Sequence, residues 1–417
     1  MSTLTKSQIQ TIKATVPVLA QHGETITTKF YADLLVAHPE LKNVFNSTHQ
    51  ATGRQARALG ASLHAYASNI DDLGRLSPAL ELICHKHASL YIQPESYDVV
   101  GYHLLKAMKE VLGDAATPEI LDAWETAYWQ LANIMMSKEK DLYQRGDGWT
   151  NWKSFRIAKK IKEAEEITSF YLKPVDETFS LPMYKLGQYI SVNVHILDSE
   201  GGHWQARQYS MSDSPGNEYL RISVKRDSEA HSPDSSHVHQ RGQISNLLHD
   251  QKDVGDEIQV SHPRGDFYFE SQRKDQSPVI LISAGVGSTC LLSILKTISQ
   301  NTTRPITWIH GARNHEMRPF KETVDQICSR NDAMHTVYFS SRPLQTEVEG
   351  REYDKQGRIN LENVNKWLLF TDDDSAQYFV CGPSEFMVNT SKQLKRYGVN
   401  DKNIKMELFG TGAIPDS

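Results

Sequence analysis

The sequence is poor in cysteine and has no long apolar run. Only four cysteines occur among 417 residues and no two are close in sequence, which argues against a disulfide framework or a cysteine-based zinc site and favours a reducing compartment. The longest apolar stretches, such as residues 278–284, fall far short of the ~20 residues that a membrane-spanning helix needs. Lys and Arg total 45 against 51 Asp and Glu, so the basic excess typical of nucleic-acid-binding proteins is also missing.

The N-terminal segment leaves two interpretations open. Residues 1–23 contain Lys6 and Lys13 but no acidic residue, a composition found in organelle presequences. Thr5 followed by Gln8, however, predicts a helix capping box, and a helical stripe of apolar residues follows it. We therefore expect the first helix of the mature fold and a cytoplasmic protein, with a mitochondrial presequence as the minor alternative.

The spacing of apolar residues changes twice along the chain, and the length predicts roughly three domains. Residues 1–146 show helical spacing almost throughout. Residues 151–272 change to a period of two with turn residues between the runs, which predicts an antiparallel β-barrel. Residues 277–417 alternate strands with helices, which predicts an α/β domain with a parallel sheet. The expected fold class is therefore multidomain: all-α, then β-barrel, then α/β.

The same periodicities predict the individual elements of the last two domains. The barrel strands are predicted at residues 154–162, 167–174, 188–195, 219–225 and 257–261. The α/β strands are predicted at residues 279–283, 306–310, 335–340 and 377–381, with a helix from 288 to 299.

A histidine on an apolar helical face is the first candidate site. His87 shares its face with Leu80 and Ile83, and an imidazole aimed into an apolar pocket can ligate iron. A core histidine with a satisfied hydrogen bond is the alternative. Polar residues on inner helical faces favour a cofactor pocket, because each buried polar group needs a partner. Those residues are Tyr31, Gln55, Tyr97 and Glu139.

Short segments of the first domain resemble the globin domain of flavohaemoglobins. The matching segments are residues 29–31, 38–46, 86–87 and 121–124. The resemblance implies haem b, with His87 as the proximal iron ligand and Tyr97 and Glu139 as its catalytic partners. Such partners give the imidazole imidazolate character, which suits oxygen activation more than oxygen storage. The other implied haem-pocket residues are Tyr31, whose hydroxyl can donate to bound dioxygen, Gln55, Leu59, Phe45 and Lys86.

Motifs of the second domain resemble the flavin barrel of ferredoxin reductases. Residues 207–210 read Arg-Gln-Tyr-Ser, and the resemblance implies FAD, with the arginine at the pyrophosphate, the tyrosine against the isoalloxazine and the serine at the ring edge. Residues 187–189 and 242–246 strengthen the match, since amides at a helix start can hold phosphate. The implied FAD-binding residues are Tyr189, Arg207, Gln208, Tyr209, Ser210, Gln243 and Ser245.

The family pattern is shorter before residue 242, so residues 227–241 form an insertion by this comparison. Its three histidines could bind a metal, but a solvated loop is the favoured interpretation. These histidines are His231, His237 and His239.

The third domain carries a glycine turn between a strand and a helix. Residues 283–289 include Gly-Val-Gly, where the backbone and the positive helix end can approach a pyrophosphate. Residues 381–383 resemble the Cys-Gly-Pro of the same reductases, which lies near the nicotinamide, and residues 407–410 resemble the segment whose aromatic residue covers the flavin. The implied residues are Gly285, Val286, Gly287, Ser288, Thr289, Cys290, Cys381, Gly382, Glu407, Leu408, Phe409, Gly410 and Thr411.

Two departures from the family leave the details of cofactor docking open. Cys290 stands where the family usually has proline after the glycine turn. Leu408 and Thr411 replace the usual neighbours of the terminal Phe-Gly.

The three resemblances follow the family's domain order and cover nearly the whole chain. They imply a nitric oxide dioxygenase, in which electrons pass from NAD(P)H through FAD to haem and nitric oxide is converted with dioxygen to nitrate. The choice of NADH or NADPH stays open, because no acid ends the second strand and Arg313 or Arg342 could meet a 2′-phosphate. The alternatives are an oxygen- or nitric-oxide-sensing globin with a maintenance reductase, and a diaphorase for other acceptors. We expect only small-molecule partners, no nucleic acid, a monomer, and a eukaryotic, fungal-type member of the family.

Overall fold

The computed structural model describes residues 4–197, 201–227, 242–270, 276–300 and 303–409. They fall into two compact units: one contains Met1–Trp152 and Ser191–Arg207, and the other contains Lys153–Ile190 and Gln208–Gly410. In these described ranges, no helix is both long enough and apolar enough to cross a lipid bilayer.

Helices fill the first unit up to residue 144, which confirms the expected helical domain. The α-helices described there are α1 Lys6–Ala14, α2 Val16–Ala37, α3 Ser47–Ala51, α4 Arg54–Ser68, α5 Ser77–Ser89, α6 Glu95–Leu112 and α7 Pro118–Gln144. Proline occupies the first turn of α2, α5 and α7, where its missing N–H costs no hydrogen bond.

The N-terminal helix has the predicted capping box. The Thr5 side chain accepts a hydrogen bond from the Gln8 amide at 3.2 Å, and the Gln8 side chain accepts one from the Thr5 amide at 3.0 Å. The apolar stripe continues beyond α1, but the helix does not, because α1 ends at Ala14 and α2 begins at Val16. Thr15 lies between them and turns its hydroxyl back to the Ile12 carbonyl at 2.6 Å.

Two glycines allow α2 and α4 to pack closely. A Cβ atom on Gly60 would lie 3.1 Å from the carbonyl carbon of Gly23, so a larger residue would push the helices apart. These are the two helices that carry Tyr31 and Gln55. Fully buried apolar residues such as Phe30 fill the space between the helices.

Six strands form the antiparallel sheet expected for the second domain, in the order β4-β3-β6-β1-β2-β5. Their bounds, with one helix between β5 and β6, are β1 Lys153–Ala164, β2 Ile167–Pro174, β3 Tyr189–Ile196, β4 His203–Ser210, β5 Leu220–Lys225, α8 Gln243–Asp250 and β6 Glu257–Val260. Each of the five predicted strands is present, and no boundary differs by more than two residues.

The two edges of this sheet meet just beyond β4. Met211 pairs antiparallel with Ile222 of β5, and the amide of Ser212 donates to the carbonyl of Arg221 at 2.8 Å. Since β4 and β5 are the edge strands in the sheet order, this pairing closes the sheet as a barrel does.

A parallel sheet lies within the second unit, in the order β10-β9-β8-β7-β11-β12. Its strands and helices are β7 Val279–Ala284, α9 Ser288–Ile298, β8 Ile306–Ala312, α10 Lys321–Cys328, β9 Met334–Ser340, β10 Lys355–Gln356, α11 Lys366–Leu369, β11 Gln377–Cys381, α12 Ser384–Arg396 and β12 Ile404–Glu407. The chain moves outward from β7 through β8 to β10 and then returns to β11 on the other side. Such a reversal point, at the carboxyl ends of β7 and β11, is where open α/β sheets bind ligands.

Candidate functional site

Three side chains from three helices meet at the predicted proximal site. His87 lies near the end of α5, Tyr97 in the first turn of α6 and Glu139 in α7. Nδ1 of His87 is 2.8 Å from Oε1 of Glu139 and 3.2 Å from the hydroxyl oxygen of Tyr97. The Tyr97 hydroxyl donates to the same carboxylate oxygen at 2.7 Å. The structure therefore brings together three residues that are far apart in the sequence.

Burial keeps the Tyr97 phenol of this cluster protonated. Burial, and then the nearby Glu139 charge, raises the pKa of Tyr97 far above its usual range, so the phenol is protonated at neutral pH. The Tyr128 hydroxyl donates to the Tyr97 carbonyl at 2.5 Å and fixes that turn of α6. A carboxylate facing Nδ1 holds the proton of His87 on that nitrogen, which leaves Nε2 as the neutral nitrogen with a lone pair.

This donor set fits a haem iron. An axial histidine presents a neutral nitrogen to the metal while its other nitrogen donates to a carboxylate or carbonyl. None of the residues in the described ranges bonds Nε2 of His87, and its side chain is 32% exposed although Cys84 and Ala88 on the same helix are fully buried. The imidazole is thus open to a ligand. No group of three or more His, Cys, Asp or Glu side chains suited to a metal occurs in those ranges, so a haem iron here would have His87 as its single protein ligand of these types.

The predicted distal residues lie in and around the same helical core. Burial raises the pKa of Tyr31 well above its usual range, and a hydrogen bond with the Gln55 side chain offsets part of the rise, so the hydroxyl remains a donor at neutral pH. The Tyr31 ring packs edge-to-face on Phe45 at 5.3 Å between centroids. Oε1 of Gln55 is buried without a hydrogen-bond partner in the described chain, which fits a pocket that receives a polar ligand. Leu59 is half-buried against this core.

Positively charged groups gather beside α5 in the first unit. Burial, and then the charge of Arg207, lowers the pKa of Lys86 to about 8. Burial, and then Lys86 and Arg207, lowers the pKa of His49 to about 4, so that imidazole is neutral at pH 7. The Arg207 guanidinium donates to Asn46 at 2.9 Å and to Gln205 at 3.1 Å. These protein partners were not expected, and the contact of Arg207 with a flavin pyrophosphate stays a prediction.

The other predicted flavin residues lie on β3 and β4. Tyr189 begins β3, and its amide and carbonyl each bond Arg264 at 2.8 Å. Ser210 ends β4 and is buried, whereas Gln208 and Tyr209 are half-buried. Because side chains alternate along a strand, Gln208 and Ser210 share one face of β4 and Tyr209 occupies the other.

The start of α8 has the form expected of a phosphate-binding helix end. Gly242 precedes the helix and supplies no side-chain cap, so the first-turn amides remain available to an anion. The side-chain amide of Asn246 donates to the backbone carbonyls of Gly242 and Asp227 at 2.7 and 2.8 Å. The backbone amide of Asp227 donates to the Ser245 hydroxyl at 3.3 Å. These bonds join the two ends of the predicted insertion. Its residues 228–241, with all three histidines, lie outside the described residues.

The Gly-Val-Gly turn lies where β7 leads into α9. A Cβ atom on Gly287 would lie 2.1 Å from the carbonyl oxygen of Cys381, so only glycine fits against the end of β11. Gly285 has a φ of +56°, and a Cβ atom there would meet nothing within 4 Å. The hydroxyls of Ser288 and Thr289 donate back into the turn at 3.0 and 2.9 Å. This open backbone beside an uncapped helix start fits a dinucleotide pyrophosphate.

Two thiols and a carboxyl group lie beneath this turn. Cys290 is fully buried and its thiol donates to the Gly287 carbonyl at 3.5 Å. The Cys381 thiol donates to the Glu407 carbonyl at 3.4 Å. Burial raises the pKa of both Cys381 and Glu407 well above their usual ranges, so the Cys381 thiol stays protonated at pH 7. All four cysteines of the chain are free.

The predicted flavin-covering aromatic follows β12. Phe409 is 41% exposed, and Leu408 is half-buried against the core beneath β11. Gly410 and Thr411 lie outside the described residues.

Sequence reasoning missed two ion pairs of the second unit. Asp213, three residues after the Arg-Gln-Tyr-Ser motif, is buried and accepts a hydrogen bond from Lys296 of α9. Arg313, a candidate for a 2′-phosphate, instead pairs with Glu166 between β1 and β2. Each pair joins residues that are 83 or more positions apart, and a local sequence pattern cannot predict a partner at that distance.

Comparisons with known proteins match the three parts of this description. The Globin family matches residues 28–135, and the Oxidoreductase NAD-binding domain family matches residues 281–392. Two curated proteins called Flavohemoprotein, from Rhizobium meliloti (strain 1021) and Bacillus subtilis (strain 168), are each 42% identical to this chain, and each match covers 98% of both sequences.

Solved structures agree with these matches. The flavohemoglobin from Malassezia yamatoensis, with bound FAD and heme, aligns over 98% of this chain and 100% of its own, with a TM-score of 0.83 and 29% identity. The FAD/NAD-binding domain of nitric oxide dioxygenase from Vibrio cholerae O1 biovar El Tor aligns over 62% of this chain and 98% of its own, with a TM-score of 0.53 and 28% identity.

Proposed function

The chain belongs to the flavohemoprotein family, and from this premise we propose that it is a nitric oxide dioxygenase that oxidises NAD(P)H and converts nitric oxide to nitrate. Haem b and FAD are its proposed cofactors. The observation that carries the proposal is the His87–Tyr97–Glu139 cluster, because a proximal histidine tied to a carboxylate suits oxygen activation. When bound, the two cofactors supply the electron transfer and the activation of dioxygen.

The chain's own residues hold and tune these groups. We assign Nε2 of His87 to the iron and the Glu139 carboxylate to the proton on Nδ1. The Tyr97 hydroxyl keeps that carboxylate in place, because it donates to the same oxygen. The protonated Tyr31 hydroxyl would donate a hydrogen bond to a diatomic ligand in the haem pocket, and the Gln55 side-chain amide would orient that hydroxyl.

The second unit supplies the reductase. We assign the flavin ring to Tyr189, Tyr209, Ser210 and Phe409, and a phosphate to the α8 start. The pyrophosphate of NAD(P)H goes to the turn that contains Gly285 and to the first residues of α9. The protonated Cys381 thiol lies at the end of β11 against this turn, and burial raises the pKa of Glu407 beside it.

The test is nitrate formation from nitric oxide by the haem- and flavin-loaded protein under air. We expect nitrate in proportion to NADH or NADPH consumed, and His87→Ala should abolish this while dye reduction by NAD(P)H continues. A holoprotein that binds oxygen but makes no nitrate would support the sensor alternative. An unchanged physiological activity in His87→Ala would support the diaphorase alternative.

The choice between NADH and NADPH can be tested by comparing the KM values of the two nucleotides. Arg313 is occupied by Glu166, so we propose the exposed Arg342 at the end of β9 as the candidate for a 2′-phosphate. If Arg342 has this role, Arg342→Ala raises the KM for NADPH and leaves the KM for NADH unchanged.

Several finer expectations remain predictions. We propose a cytoplasmic monomer with domains at residues 1–146, 151–272 and 277–417, and the free cysteines are consistent with a reducing compartment. The fungal-type assignment also stays a prediction, because the curated relatives at 42% identity are bacterial.

A further inference from the structure

An ion pair between a buried aspartate and a partly exposed lysine links the segment after the flavin motif to the helix of the nucleotide-binding turn. Asp213 follows β4 by three residues, and its carboxylate accepts a hydrogen bond from Nζ of Lys296. Lys296 lies in α9, the helix that starts at the Gly-Val-Gly turn, and both residues belong to the second compact unit. We propose that Lys296 is a positioning residue, whose bond to Asp213 sets the distance between NAD(P)H and the flavin. This inference rests on the proposed function.

The acceptor of this bond is held rigidly by the barrel. Asp213 is 2% exposed, and its Oδ1 also accepts from the amide of Ser214 at 2.9 Å. Its Oδ2 accepts from the Tyr219 hydroxyl at 3.2 Å, while the Tyr184 hydroxyl donates to its backbone carbonyl at 2.8 Å. A carboxylate with this many fixed donors has one orientation, so the bond to Lys296 fixes a position and not merely a charge.

A second cation lets the site survive the loss of Lys296. Nη1 of Arg221 is 3.7 Å from Oδ2 of Asp213, and its Nε donates to Ser212 at 3.0 Å. Arg221 is buried and also lies over the Phe320 ring at 5.6 Å. Removal of Lys296 therefore leaves Asp213 with a counter-charge, whereas removal of Asp213 would leave Arg221 buried without its partner carboxylate. The mutation that tests the ion pair should therefore replace Lys296 and keep Asp213.

The position of Lys296 explains why a small shift would matter. It lies seven residues, two helical turns, after Thr289, on the helix whose start we assign to the NAD(P)H pyrophosphate. A movement of α9 moves that start by a similar amount. Hydride transfer needs reacting atoms ~3–3.5 Å apart, and a misplacement of ~1 Å can lower the rate ~100-fold.

The experiment measures flavin reduction by NADH in the cofactor-loaded full chain, by anaerobic stopped-flow absorbance. We expect Lys296→Met to lower the limiting reduction rate roughly 10- to 100-fold with little change in the Kd for NADH, and to weaken the flavin–nicotinamide charge-transfer absorbance. Lys296→Arg should restore most of both. Lys392→Met, on the exposed face of α12, is the matched control and should behave as the wild type.

The outcomes separate this inference from the proposed function. A wild-type rate in Lys296→Met overturns the positioning role. A slower rate fully explained by lost flavin or a lower Tm, with an unchanged charge-transfer band per bound flavin, also overturns it, because the residue is then structural only. A wild-type protein whose flavin neither NADH nor NADPH reduces overturns the proposed function instead.

Discussion

Oε1 of Glu139 lies 2.8 Å from Nδ1 of His87, although 52 residues separate them in the chain. The same oxygen accepts the Tyr97 hydroxyl, so two donors share one carboxylate oxygen that is almost completely buried. Screening by water is weak there, and the carboxylate polarises the imidazole more strongly than an exposed acid could. This contact increases the electron density on the His87 imidazole more than a neutral backbone carbonyl acceptor would, which matters if His87 is the iron ligand we propose.

The first prediction concerns the charge of Glu139. Glu139→Gln keeps the shape and one acceptor but removes the negative charge, so the imidazole becomes a weaker electron donor. We expect haem to remain bound, the iron–histidine stretching frequency in resonance Raman spectra to fall, and nitric oxide turnover to drop roughly 10- to 100-fold. Glu81→Gln, which removes a half-exposed acid of α5 paired with Lys138, is the control. An unchanged frequency would rule out the charge as the cause.

The second prediction concerns the hydroxyl of Tyr31. Tyr31→Phe keeps the ring that packs on Phe45 and deletes only the donor. A hydrogen bond to a partly charged ligand is worth ~1.5–3 kcal/mol, so oxygen should dissociate roughly 10- to 100-fold faster. Stopped-flow displacement of oxygen by carbon monoxide measures this rate. Tyr102→Phe, on the exposed face of α6, should leave it unchanged, and equal rates in Tyr31→Phe and the wild type would remove Tyr31 from the ligand site.

The third prediction separates packing from backbone strain in the nucleotide turn. Gly287→Ala forces a Cβ atom against the Cys381 carbonyl, and overpacking of this kind costs ~1–3 kcal/mol of unfolding free energy. Gly285→Ala has open space but a φ of +56°, where alanine costs ~1–2 kcal/mol. We expect a larger loss of Tm in Gly287→Ala, and weaker NADH binding in both. Equal Tm values would show that the end of β11 yields to the added methyl group.

Local patterns were sufficient for much of this fold. The capping box at Thr5 and Gln8 and most of the described strands, although not β10 and β12, come from local sequence, because side-chain period and turn residues act over a few positions. The Gly-Val-Gly turn was predicted from its place after a buried strand. Helical periodicity also placed His87 on an inner face.

Partners that are distant in sequence were not predictable from periodicity. The bond of Arg207 to Asn46 spans 161 positions, and that of Asp213 to Lys296 spans 83. Each bond depends on how whole helices and strands pack against one another. From the sequence alone, many other polar or charged residues are equally plausible partners. The Tyr97–Glu139 pair was assigned to His87 only through the family resemblance, for the same reason.

The last prediction concerns acid stability and His310. This residue of β8 is fully buried, and burial, then the charge of Arg318, lowers its pKa to about 3 from an ordinary 6.5. Between these values the unfolded chain binds a proton that the folded chain does not, so the free energy of unfolding must fall as the pH drops below about 6.5, by at most ~1.4 kcal/mol per pH unit from this group. Nδ1 of His310 is 2.8 Å from the Ser283 hydroxyl, and asparagine can replace that contact. We therefore expect His310→Asn to flatten the pH dependence of urea unfolding between pH 6.5 and 4.5, whereas parallel curves for the two proteins would show that His310 is protonated in the folded state.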